Sequence, residues 1–160
     1  MSPRTSARQR PTAPPSTPLL VKAFPVQPLY VSFYWDFVKD YLSASLEHAT
    51  GEIELEDLRR WCEQGKLALW VAKHDKVCGA AICEIVQYTR KKRINILAIG
   101  GDDFDSWAKQ AQEALEKWAQ ELGAEGIEAR VRKGFAPKLE AIGFKQVYIG
   151  MVKDGTGIGK

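Results

Sequence analysis

Residues 93–123 constrain this chain more than any other stretch. Ile94, Ile96 and Ala98 alternate with Asn95, Leu97 and Ile99, the two-residue period of a strand. Gly100-Gly101-Asp102-Asp103 follows and reads as a turn. Phe104, Trp107, Ala108, Ala111, Leu115, Trp118, Ala119 and Leu122 then recur at three- and four-residue spacing, so a helix runs to Gly123. Asp105 or Ser106 is the expected cap. A glycine turn between a strand end and a helix start is a place where backbone N–H groups can face a phosphate.

The flanking segments supply the other elements. Leu19–Phe24 is a short apolar strand ended by Pro25 and Pro28. Leu29–Ala49 is a helix, with Phe33, Tyr34, Phe37, Val38, Tyr41, Leu42 and Leu46 as its inward stripe. Its aromatic content exceeds one buried stripe. Most of this reads as core and a helix seam, while Tyr30 and Trp35, on the far side, are candidate partner contacts. Leu55–Gln64 is a second helix, closed by Gly65. Strands follow at Leu67–His74 and Val77–Tyr88, the latter with Gly79 inside it as a candidate bulge. The basic turn Thr89-Arg90-Lys91-Lys92-Arg93 reads as a solvated hairpin tip. Gly126–Val131 is a strand, Pro137, Leu139 and Ile142 mark a short helix, and Phe144–Val152 is the last strand.

Residues 1–18 form a Pro/Ser/Thr/Arg arm. Seven of the eight prolines lie between Pro3 and Pro28, which forbids a helix or a central strand there. Arg4, Arg8, Arg10 and Lys22 give the first 22 residues a charge of +4, against +3 for the whole chain. The body is thus nearly neutral, which argues against nucleic acid as a partner. Arg4, Arg8, Arg10, Pro14 and Pro15 are instead candidate protein contacts, the arm lying extended across a neighbouring subunit. Residues 154–160 read as a flexible tail. Cys62, Cys78 and Cys83 cannot all pair and lack metal-type spacing, so they read as core filler in a reducing compartment. Two histidines, His48 and His74, argue against a triad or a zinc site, and no metal is expected. No apolar run is long enough to span a membrane.

The order β-α-α-β-β-β-α-β-α-β, and a short helix closing on Ala141-Ile142-Gly143-Phe144 before a last strand, resemble the GNAT N-acetyltransferase superfamily over residues 19–153. The resemblance implies an α/β (α+β) domain: a mixed, mostly antiparallel sheet of about six strands with helices on both faces. The chain also resembles small GNAT-like proteins of phages and prophages. The matching residues are Leu69-Trp70-Val71-Ala72, Glu84-Ile85-Val86-Gln87-Tyr88, the basic turn and Gly100-Gly101.

The family's parts map unevenly onto this chain. Its pyrophosphate loop falls on Gly100, Gly101, Asp102 and Asp103, without the family's Arg/Gln and with three aspartates through Asp105. At about 4–6 Å each carboxylate–phosphate contact costs on the order of 1 kcal/mol or more. The slot of the general acid holds Leu139, which cannot donate a proton, and Tyr148 is the substitute only if it faces the cleft. Glu84 is the candidate base, with an outward, ion-paired position as its plainer reading. The expectation is a catalytically degenerate GNAT-fold protein without cofactor. It would be a structural or assembly component of a phage particle, located in the bacterial host cytoplasm or the virion. The alternative is an acetyl-CoA-dependent N-acetyltransferase with an atypical loop.

Overall fold

The computed structural model describes residues 20–46, 52–153 and 155. The arm, with Arg4, Arg8, Arg10, Pro14 and Pro15, lies outside the described residues, as do the expected helix end at Ala49 and most of the tail. Five strands form one sheet in chain order: β1 (Lys22–Val26), β2 (Ala68–His74), β3 (Lys76–Gln87), β4 (Lys92–Gly101) and β5 (Ile127–Ala129). The first three pairings are antiparallel, while β4 and β5 are parallel. A parallel pair needs a crossover. Helix α3 (Phe104–Glu121) supplies it. Helices α1 (Val31–Leu46) and α2 (Leu55–Glu63) share one hydrophobic cluster with Leu69, Val71 and Ile82 of the sheet. Helix α3 and the short α4 (Ala136–Glu140) pack with Ala72, Cys78, Ile94 and Ile96 in the clusters of the other face. No helix among the described residues is long and apolar enough to cross a membrane.

Pro25 lies inside β1, tolerated because β1 is an edge strand. Gly65, at φ 78°, ends α2 as its sequence position requires. The β2–β3 register slips between Ala72 and Lys73, leaving Cys78 as the extra residue beside Gly79. Three expectations need correction. Gly100 and Gly101 belong to β4 itself, paired with Ala80 and Gly79, so the turn is only Asp102-Asp103. Asp103, at φ 54° and ψ 42°, is the N-cap residue of α3, while Ser106 Oγ donates back to the Asp103 carbonyl at 2.7 Å. Residues 144–152 form no strand, and Val147, Tyr148, Ile149 and Met151 are exposed. β5 offers a ladder only three residues long, and apolar side chains occur at both odd and even positions of 144–152, so no single face drives pairing.

Helix α1 is rotated relative to its sequence reading. Val31, Trp35, Val38 and Leu42 face inward, and Trp35 is 2% exposed. Phe33 and Phe37, expected inside, are 65% and 56% exposed. Both faces of this helix are apolar, so periodicity alone does not choose between them. The expectation that Trp35 meets a partner is therefore corrected, because the indole is core, with the Arg59 guanidinium 5.7 Å from its ring. Tyr30, at 53% exposure, is on the surface as expected.

Candidate active site

β5 pairs with β4 only from Ile94 to Ile96, while β4 continues to Gly101. Beyond Ile96 the two strands part. At the end of β4 lies a cleft of about 460 Å³, lined by Tyr41 and Ser45 of α1, Ile99–Asp105, and Arg132, Phe135 and Lys138 from the segment after β5. The first turn of α3 lies on one wall, where helix N–H groups have no intrahelical partner.

The glycines of β4 shape this wall by letting neighbours come close. A methyl group at Gly100 would lie 2.5 Å from the Tyr41 carbonyl oxygen, so α1 rests directly on the strand. The Ile99 N–H donates to Ser45 Oγ at 3.2 Å. At Gly101 a methyl would meet the Trp107 ring at 2.6 Å and the Cys78 carbonyl at 2.7 Å. Trp107 covers Gly79 and Gly101, and its Nε1–H donates to the Asp102 carbonyl at 2.7 Å. The Asp102 N–H donates in turn to the Cys78 carbonyl at 2.8 Å. The bend is thereby pinned, and the Ser106 N–H of the helix start donates back to the Asp103 carbonyl at 2.9 Å.

The aspartates are partly answered. Tyr41 OH donates to Asp102 Oδ2 at 2.8 Å, and Lys138 Nζ approaches Asp105 Oδ2 at 3.7 Å across the cleft mouth. Asp40 adds a further carboxylate to the lining, and Arg132 a second cation. Burial, reinforced by Asp102, pushes the Tyr41 hydroxyl up to about 12. It therefore holds its proton and orients Asp102; so weak an acid is poorly suited to protonating a leaving group. The sign of the linkage follows. The folded protein binds this proton more tightly than the unfolded chain, so the stability it lends is complete below pH about 10 and is lost as pH rises through about 12. Ultraviolet titration should show one tyrosine ionising near 12, and Tyr41→Phe should remove that component.

No protein-family model and no curated protein matches the chain. Solved structures do. An aminoglycoside acetyltransferase from an uncultured soil metagenomic sample, in complex with sisomicin, superposes with TM-score 0.62 at 16% identity, covering 85% of this chain and 97% of that one. Ribosomal-protein-alanine N-acetyltransferase from Brucella melitensis biovar Abortus 2308 gives TM-score 0.62 at 13% identity, over 86% of this chain and 100% of that one. A predicted acetyltransferase with acetyl-CoA from Clostridium acetobutylicum gives 0.58 at 11%, over 83% and 96%.

The fold is the GNAT acetyltransferase fold. At these identities the likeness is one of architecture. Gly100, Gly101, Asp102 and Asp103 all line the cleft, which sits at the end of β4 and the start of α3. Of the other expected site residues that the structure describes, Leu139, Tyr148 and Glu84 do not line it. Leu139, in the acid's slot, is buried at 5% exposure. Tyr148 is 86% exposed and outside the cleft lining, so it does not replace the missing acid. Glu84 also lies outside the lining. It accepts from Asn95 Nδ2 at 3.1 Å, an amide partner rather than the expected Lys or Arg. Cys83 is fully buried, and burial pushes its thiol up to about 12, which leaves it inert. Sequence reasoning missed Tyr41, Ser45, Arg132 and Lys138 as cleft residues. Tyr41 was hidden within an apolar stripe. Arg132 precedes the short helix and Lys138 lies within it, and this pair of cations six residues apart is the signal that could have pointed toward an anion.

Proposed function

We propose that this chain binds an acyl-coenzyme A in the cleft at the end of β4 and transfers its acyl group to an amine. The observation that carries the reading is the cleft itself, about 460 Å³ at the end of β4, with the start of α3 on one side and Arg132 and Lys138 lining it. A helix N-terminus and two cations suit phosphate. GNAT-fold neighbours support the reading, one of them carrying acetyl-CoA. The step balances simply. The amine nitrogen bonds to the acyl carbon and the carbon–sulfur bond breaks. Of the two protons an ammonium group loses, one goes to sulfur and one to solvent. Arg132 and Lys138 offset phosphate charge, while the Tyr41 hydrogen bond holds Asp102 toward α1.

A second reading keeps the fold without the transfer, as a binding or assembly component such as the phage-particle role expected from the sequence. Leu139 in the acid's slot and the acidic bend favour it. Calorimetric titration with coenzyme A and acetyl-CoA, followed by thiol release in the presence of polyamines, aminoglycosides and peptide amines, separates the two. Saturable binding with amine-dependent thiol release is expected. Binding without release across these amines would favour the second reading, and absence of binding would defeat the first.

A further inference from the structure

A second space lies beneath α3, a cavity of about 60 Å³. Its walls are apolar and unusually rich in alanine: Ala23, Ala72, Ala80 and Ala81 from the sheet, Ala108 and Ala111 from α3. Leu139 is part of the same wall, so the residue in the acid's slot has a packing role. Ile99 and Phe104 line both this cavity and the cleft, which places the two spaces on either side of the same pair of side chains. The cavity offers water little: Gln112, the polar side chain of its lining besides the indoles, turns its amide to Glu116 at 3.1 Å. Trp107 has spent its Nε1–H on the Asp102 carbonyl, and Trp70 Nε1, buried without a partner among the described residues, is one donor only. A buried water needs about two to four polar partners, so a space of this kind stays dry and receives carbon.

We infer that this cavity takes the tail of the acyl group, and that the favoured donor is a short-chain acyl thioester of about four carbons rather than acetyl. The inference rests on the proposed acyl-coenzyme A site. The size follows from volume: a dry cavity of about 150 Å³ admits benzene, with its six carbons, so about 60 Å³ admits two or three. Added to the two carbons of an acetyl group in the cleft, that gives butyryl. Ile99 and Phe104, which line both spaces, stand between the cleft and the cavity and are the side chains the tail would pass.

The test is calorimetry on the full chain with coenzyme A, acetyl-CoA and butyryl-CoA, repeated on Ala111→Leu, which fills the cavity without touching the cleft lining. Butyryl-CoA is expected to bind on the order of tenfold tighter than acetyl-CoA, the effect of two methylenes leaving water. In Ala111→Leu that preference disappears while acetyl-CoA affinity is unchanged. Ala108→Val gives the same readout should the leucine variant fail to fold. Coenzyme A and acetyl-CoA binding with no butyryl preference would overturn the inference and leave the cleft assignment standing. A preference that survives in both filled variants would overturn it too. If none of the three binds, both readings fall.

Discussion

Trp107→Ala should lower the unfolding free energy by about 3–5 kcal/mol. The indole is 3% exposed, stacks edge-on against Phe104 at 5.2 Å, and covers two glycines on adjacent strands. Its N–H bond to the Asp102 carbonyl also holds the bend that leads into α3. Chemical denaturation measures the loss. Coupling gives a sharper check. A methyl group at Gly79 would run into the Trp107 ring, with the Gly100 carbonyl next at 3.1 Å, so Gly79→Ala should be costly alone and far cheaper in the Trp107→Ala background. Gly101→Ala should stay costly in both, because its methyl would still meet the Cys78 carbonyl at 2.7 Å and Gly79 Cα at 2.8 Å. Equal costs for Gly79→Ala in the two backgrounds would show that the indole does not sit where described.

These glycines show what the sequence made legible and where it misled. A Gly-Gly pair after an alternating run reads as a turn. In the structure both residues finish β4, and their missing side chains admit Trp107 on one side and α1 on the other. Period separates a strand from a turn only when side chains are present to show it, and glycine has none. The strand–helix–strand core of β4, α3 and β5 was readable because α3 carries one apolar stripe and a polar back. Helix α1 was readable as a helix but not in its rotation, since Phe33 and Phe37 are as apolar as Trp35. The cleft was half readable. Its near wall is local in sequence, Gly100 to Asp105. Its far walls come from α1 and from the segment after β5, and no local pattern announces that Tyr41 and Arg132 line one space.

The charges lining the cleft decide whether a polyanion enters, and they make the second large prediction. Arg132 and Lys138 are the basic side chains of the lining, and Lys138 is already engaged by Asp105 at 3.7 Å. Opposite them in sign are Asp40, Asp102, Asp103 and Asp105. At a surface-like effective dielectric, unit charges about 5 Å apart interact by about 3 kcal/mol before salt screening, which lowers the value further. Reversing one cation both removes an attraction and adds a repulsion. Arg132→Glu should therefore weaken coenzyme A binding by on the order of a hundredfold at low salt, and by less as ionic strength rises. Asp103→Asn should act in the opposite sense, tightening binding by about threefold to tenfold, because it removes a carboxylate beside the start of α3. Asp102→Asn should gain less, since Tyr41 already donates to that carboxylate. Titrations of coenzyme A against the three variants at two salt concentrations test the ordering. Unchanged affinity in Arg132→Glu would place the phosphates elsewhere, and tighter binding in neither aspartate variant would mean that the carboxylates point clear of the ligand.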